Sequence, residues 1–149
     1  MSTDNSREMD PSEVSEFLAP NGTGVLSLAA ANVPYSIPVS YGYDPEERSF
    51  YFRLGFHNES EKRNFVSESE LARLVVYGQT ADGWKSVIVV GELERIGDDE
   101  LTINVATNLQ KADLPLMNIW NEPADDIEFL LYRLDAERLS GRREVGGNT

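Results

Sequence analysis

The reading of the fold turns on Tyr35-Ser36-Ile37-Pro38-Val39-Ser40-Tyr41-Gly42-Tyr43, then Asp44-Pro45-Glu46-Glu47, then Ser49-Phe50-Tyr51-Phe52-Arg53-Leu54. Aromatic and β-branched residues, which suit a pleated and half-buried surface, dominate both flanks. The centre holds an Asp-Pro pair, which starts a turn. This pattern predicts a hairpin. Pro38 has no N–H to give to a ladder, so the first strand is expected at a sheet edge, at a bulge, or in a pair with one donor missing.

Working outward, Val25 to Ala29 reads as a strand before the hairpin, and Ala72 to Tyr77, Lys85 to Ile96 and Ile127 to Leu134 as strands after it. Thr80-Ala81-Asp82-Gly83 is the turn between the second and third of these. Asp10-Pro11-Ser12-Glu13 offers a capping acid, a proline at the first helical position and a glutamate three residues after the cap. Val14, Phe17 and Leu18 follow on one face, which predicts a short amphipathic helix. Ser60 to Glu70 reads as a second helical segment. Leu101, Val105, Leu109 and Ala112 recur at helical spacing, with Asp98 or Asp99 as the expected cap and Pro115 as the stop. About six strands in hairpin order with peripheral helices point to a closed or partly closed barrel rather than βαβ units. One domain over 10–140 is expected, with mobile tails at 1–9 and 141–149.

Composition narrows the function. At 149 residues with 40% apolar content, the chain can bury a core of its own. No long apolar run or leader pattern occurs, so the cytoplasm is the expected location, with no membrane partner. The absence of cysteine excludes disulfides and thiolate chemistry, and the single His57 excludes a multi-histidine metal site. A net charge of −13 and a pI of 4.4 speak against nucleic acid, which demands clustered Lys and Arg. The acids are spread along the chain and the 13 basic residues are mostly arginine, which favours the solvated acidic surface of a halophilic protein in a salty cytoplasm over a basic partner or an ordinary acidic mesophilic protein.

Taken in order, Gly42-Tyr43-Asp44, Phe50-Tyr51-Phe52, Glu59-Ser60-Glu61-Lys62, Leu74-Val75-Val76-Tyr77 and Val87 to Ile96 form a pattern over about sixty residues. It resembles the pyridoxamine 5′-phosphate oxidase-like family. The resemblance implies a mainly β, antiparallel, Greek-key-like split β-barrel with a few peripheral helices. It also implies FMN as cofactor, bound at the interface of a homodimer to which Pro115 to Trp120 and the final strand contribute. In such a protein the cofactor carries hydride or electron transfer and the chain positions it.

The residues offer physical support. FMN ends in a phosphate dianion, and free N–H groups at a helix start attract one. Ser60-Glu61-Lys62-Arg63 joins a capping hydroxyl to two cations in a first turn, where cations otherwise oppose the helix dipole. The same cations could instead pair with Glu59, Glu61 or Glu68 on a solvated helix. Through the resemblance, Pro38, Val39 and Ser40 run past the isoalloxazine edge, where backbone groups can read ring carbonyls and N–H. Arg53, Lys85 and Ser86 are implied to lie beside the flavin.

The oxidase itself carries an Arg and a Lys where this chain has Ser36 and Tyr41, and its arginine-rich C-terminal substrate segment is missing. Pyridoxamine phosphate oxidase activity is therefore not expected. A closer similarity is to the flavin-binding branch that includes nitroimidazole-resistance proteins. Those carry a His near the position of His57, but the residues after it differ, and no catalytic residue is assigned. The reading is an FMN-dependent oxidoreductase using an unidentified small-molecule substrate and electron donor. The alternatives are a non-enzymatic binder of flavin, haem or deazaflavin on the same barrel, and an acidic interaction domain without cofactor.

Overall fold

A computed structural model describes residues 6–56, 71–111 and 128–145. The elements run β1 (Ser6–Glu8), α1 (Pro11–Asn21), β2 (Thr23–Ala30), β3 (Val33–Ser40), β4 (Gly42–Asp44), β5 (Ser49–Phe56), β6 (Ala72–Thr80), β7 (Gly83–Arg95), α2 (Ile103–Gln110) and β8 (Glu128–Glu144). All described strand pairs are antiparallel, and the strands form one sheet in the order β3-β2-β6-β7-β8-β5-β4, with β1 attached to β8.

Alternation along each strand sends one row of side chains inward. Phe50, Phe52, Leu54 and Phe56 of β5 meet Leu74 and Val76 of β6 and Val87 and Val89 of β7 in a single core. Burial of each such side chain is worth about 1.5–3 kcal/mol. Helix α1 adds Val14, Phe17 and Leu18 to the same core. Its cap is as expected: Asp10 accepts from the Glu13 N–H at 2.9 Å, and the Glu13 carboxylate accepts from the Asp10 N–H at 3.4 Å. A second, smaller core lies on the opposite face of the sheet, where Val105 and Leu109 of α2 pack with Tyr51, Ile96 and Leu131.

The hairpin between β2 and β3 explains the prolines. Ala31 and Asn32 hold φ of 50° and 64°, the two positive values that a type I′ two-residue turn demands. The closing pair is Ala30 with Val33. Hydrogen-bonded and non-bonded pairs alternate from there, so Pro34, Ser36, Pro38 and Ser40 turn their backbone groups away from β2. Neither Pro34 nor Pro38 costs a ladder bond. β3 is an edge strand, as Pro38 suggested.

The two edges of the sheet, β3 and β4, are consecutive in the chain and separated by Tyr41 alone. The sheet thus curls until its ends nearly meet, and β3 comes alongside β5 without a ladder between them. Tyr41 fixes this corner: its N–H donates to the Gly22 carbonyl and its hydroxyl to the Leu18 carbonyl, both at 2.8 Å. The architecture is a split β-barrel.

Several details differ from expectation. The described residues contain eight strands rather than six, because the hairpin's first strand is divided at Tyr41 and β1 is added. Ser6–Glu8 and Gly141–Glu144, read as tail, are paired strands, with Ser6 opposite Glu144. Their polar composition hid a ladder whose bonds are made by backbone. The cap of α2 is Thr102, whose hydroxyl accepts from the Val105 N–H at 3.2 Å; Asp98 and Asp99 sit in a preceding 3₁₀ turn. The final strand runs ten residues past Leu134 to Glu144, and passes Gly91 at a bulge where a β-carbon would lie 2.0 Å from the Asp135 carbonyl oxygen. The helix expected over Ser60 to Glu70 lies outside the described residues.

Candidate functional site

The split between β3 and β5 gathers part of the expected site. Continuing the Gly42–Tyr51 register back along the chain brings Ser40 level with Arg53 and Pro38 level with Gly55. Arg53 is exposed on the outer face of β5 and makes no ion pair or side-chain hydrogen bond among the described residues. Pro38 is exposed beside the gap. Ser40 is buried, and its hydroxyl donates to the Gly22 carbonyl at 3.2 Å while its backbone faces the split. Val39, expected beside the flavin, points its side chain into the core and turns its backbone groups to β2, so it offers nothing to the split.

Lys85 and Ser86 separate, because neighbours on a strand face opposite sides. Ser86 lies on the outer face, opposite Tyr77 and Arg142. Lys85 shares the inward row of Val87 at the barrel mouth, with its Nζ 3.9 Å from an Asp82 carboxylate oxygen. It is thus not on the side of the sheet that carries Pro38 and Arg53. Ser60, Lys62, Arg63 and His57 lie outside the described residues, as do Pro115 to Trp120.

Polar bonds that sequence reasoning did not find fix β4, the strand next to the split. The Lys111 ammonium donates to the Tyr43 carbonyl at 3.2 Å and to Asn108 Oδ1 at 2.9 Å, and the Asn104 amide donates to Asp44 Oδ2 at 3.1 Å. These bonds seat β4 on α2, which sets the corner at Tyr41. Burial pushes the Tyr41 phenol well above its usual range, so it stays a neutral donor. On the outer face, burial also raises the Tyr51 phenol, against the pull of Arg133. The signal for this network was Gly42, which only a close backbone approach explains. No group of three or more His, Cys, Asp or Glu side chains able to hold a metal occurs among the described residues, and none of their helices is long and apolar enough to cross a membrane.

An antiparallel sheet that curls until its edge strands nearly meet without closing is the split-barrel class. The sequence profile of the pyridoxamine 5′-phosphate oxidase family matches residues 10–143, and the chain belongs to that family. No curated protein matches it. Among solved structures it is similar to a FAD-binding protein from Mesorhizobium loti, at 24% identity and a TM-score of 0.69, covering 92% of this chain and 95% of that one. It is also similar to a protein from Bacteroides thetaiotaomicron assigned to 5-nitroimidazole antibiotic resistance, at 12% identity and a TM-score of 0.63, covering 95% and 93%. A heme binding protein from Mycobacterium smegmatis shares 16% identity with a TM-score of 0.63, covering 89% of this chain and 53% of that one. At these identities the likeness establishes the fold.

Proposed function

We propose that the chain is a flavoprotein that binds FMN along the split between β3 and β5 and acts as an oxidoreductase on a small molecule. The carrying observation is the outward backbone edge of β3, unused by β2, level with Arg53, whose guanidinium makes no ion pair among the described residues. The residues fit a flavin. Backbone carbonyls of β3 and the N–H groups of Ser36 and Ser40 match a ring edge with both donors and acceptors, and Arg53 suits an anionic group. Ser60, Lys62 and Arg63 complete the phosphate end in this reading. When bound, the flavin supplies hydride or electron transfer. The chain's own part is to orient the ring, with Pro38 keeping the edge free of a competing strand.

The test is titration with FMN, FAD and riboflavin, followed by flavin fluorescence. Riboflavin has the same ring and no phosphate, so Lys62→Ala should weaken FMN by about ten- to a hundredfold, corresponding to about 1.5–3 kcal/mol for a charge-assisted bond, and leave riboflavin nearly unchanged. Failure of all three flavins to bind would defeat the proposal. Turnover of a reduced nicotinamide with candidate acceptors then separates an enzyme from a carrier. The second reading, a haem binder, is favoured by the structural neighbour named for haem, and a Soret band on addition of haemin would support it.

A further inference from the structure

One row of residues crosses the outer face of the sheet from β3 to β8. The ladders set Ser36 of β3 opposite Ser27 of β2, Ser27 opposite Arg73 of β6, Arg73 opposite Val90 of β7, and Val90 opposite Arg138 of β8. At a strand spacing of about 4.8 Å, Arg73 and Arg138 stand about 10 Å apart at their backbones, so side chains of that length can close on one group. Val90 between them is only 9% exposed, on a face where Tyr77 is 62% exposed. An aliphatic arginine stem on either side covers it in this way. Ser27 and Ser36 share one hydrogen bond, Oγ to Oγ at 2.8 Å, which leaves the accepting hydroxyl's own proton for another acceptor.

The charge of this row is out of place in the chain. Acidic residues outnumber Lys and Arg by 26 to 13, yet the outward positions of β2, β6 and β7, alternating from Thr23 to Ala29, Arg73 to Gln79 and Trp84 to Val90, hold no Asp or Glu. Neither Arg73 nor Arg138 makes an ion pair among the described residues. Two guanidiniums held close without a carboxylate repel each other, and an anion between them replaces that repulsion with attraction. The planar fork of each takes phosphate oxygens in pairs, and two cations match a group with two negative charges.

The neighbours of the row define the rest of the ligand. Ser36 stands on the strand whose outward edge is proposed to hold the flavin ring, about 10 Å from Arg73 across two strand spacings. In another direction, four residues along β6 or about 13 Å from Arg73, Tyr77 presents an exposed aromatic ring. A molecule filling all three places has one ring at the β3 edge, a pyrophosphate over the arginines and a second ring on Tyr77. We propose that Arg73 and Arg138 bind the pyrophosphate of a dinucleotide that serves as the electron donor. The inference rests on the flavoprotein reading, in which the donor passes a hydride, two electrons with their proton, to the flavin and leaves oxidised.

The experiment is calorimetric titration of the FMN-loaded full chain with the oxidised nicotinamide dinucleotide, with and without its 2′-phosphate, so that nothing is turned over. FMN affinity and circular dichroism melting are measured for every variant. The parent should bind at least one dinucleotide, and inorganic pyrophosphate should compete with it. Arg73→Ala and Arg138→Ala should each weaken the dinucleotide and pyrophosphate by about tenfold or more while FMN affinity stays at the parent value. Tyr77→Ala should weaken the dinucleotide and leave pyrophosphate unchanged. Arg95→Ala, which removes the same charge elsewhere, should change neither. An FMN-loaded parent that binds no dinucleotide, arginine variants that bind like the parent, or an equal loss in Arg95→Ala would each overturn the proposal. Failure of FMN itself to bind would instead remove the flavoprotein reading. Pyrophosphate titrated into the flavin-free chain then decides the arginine pair, and binding that is absent, or equal in the parent and the arginine variants, overturns it.

Discussion

Gly42 of β4 and Asn108 of α2 touch backbone to backbone: a β-carbon on Gly42 would lie 1.7 Å from the Asn108 carbonyl oxygen and 2.8 Å from its carbonyl carbon. No side chain can yield there, so helix or strand must shift. Gly42→Ala should destabilise the fold by about 3 kcal/mol, the upper end for an overpacked site. A urea midpoint within error of the parent would show that β4 and α2 are not seated so closely.

Removing the α2 cap should act more gently. Thr102→Ala takes away the acceptor of the Val105 N–H and should cost about 1 kcal/mol. Asp98→Ala should cost less, since the Asp98 side chain does not cap α2. Denaturant midpoints of the two variants compare the observed cap with the one expected from sequence.

The ion pair between Glu13 and Arg143, at 3.0 Å, ties α1 to β8 and gives stability a pH dependence. The bond from Arg143 holds the Glu13 carboxyl below the usual glutamate range. A carboxyl depressed in the folded state stabilises it above the unfolded value and loses that contribution as pH falls through the folded value. Glu13→Gln should therefore melt below the parent at neutral pH, and the gap should close as pH drops below the ordinary carboxylate range. A gap of constant size from pH 7 to pH 3 would refute the assignment.

Arg53 and Lys85 are separated by the sheet, which makes them a matched pair for locating the flavin. Arg53→Ala should weaken FMN by about tenfold or more, while Lys85→Ala should leave it nearly unchanged. Fluorescence titration of both variants checks this. The reverse result would put the phosphate end at the barrel mouth.

The charge of −13 predicts a dependence on salt. Self-repulsion is screened within a Debye length, roughly 10 Å at 0.1 M, so the melting temperature should climb as potassium chloride rises. A flat or falling curve up to molar salt would count against halophilic adaptation.

Much of the fold was legible because hydrophobic alternation and turn chemistry are local. Asp10 and Glu13 announced α1, Pro38 announced an edge, and Thr80 to Gly83 announced the β6–β7 turn, all from neighbours a few residues away. The missed parts depend on partners distant in sequence. Ser6 pairs with Glu144 by backbone alone, which leaves no trace in side chains. The division at Tyr41 follows from where the barrel's ends meet, a property of the whole sheet. Of the candidate site, the edge position of β3 was legible from Pro38, whereas the separation of Lys85 from Ser86 required knowing which face β7 turns inward.

The place of β8 in the sheet governs how the chain can fold as it is made. Translated after every other described strand, β8 lies between β7 and β5, and among the described strands it alone joins β3-β2-β6-β7 to β5-β4. Until β8 emerges, the other described strands can form only two half-sheets with no ladder between them. Pairs such as Phe50 with Leu134 close only then, at large sequence separation and correspondingly slowly. Closure of the sheet thus waits for β8, and a chain stopped before Glu128, lacking the strand between β7 and β5, should be a client for chaperones and proteases rather than a smaller version of the domain.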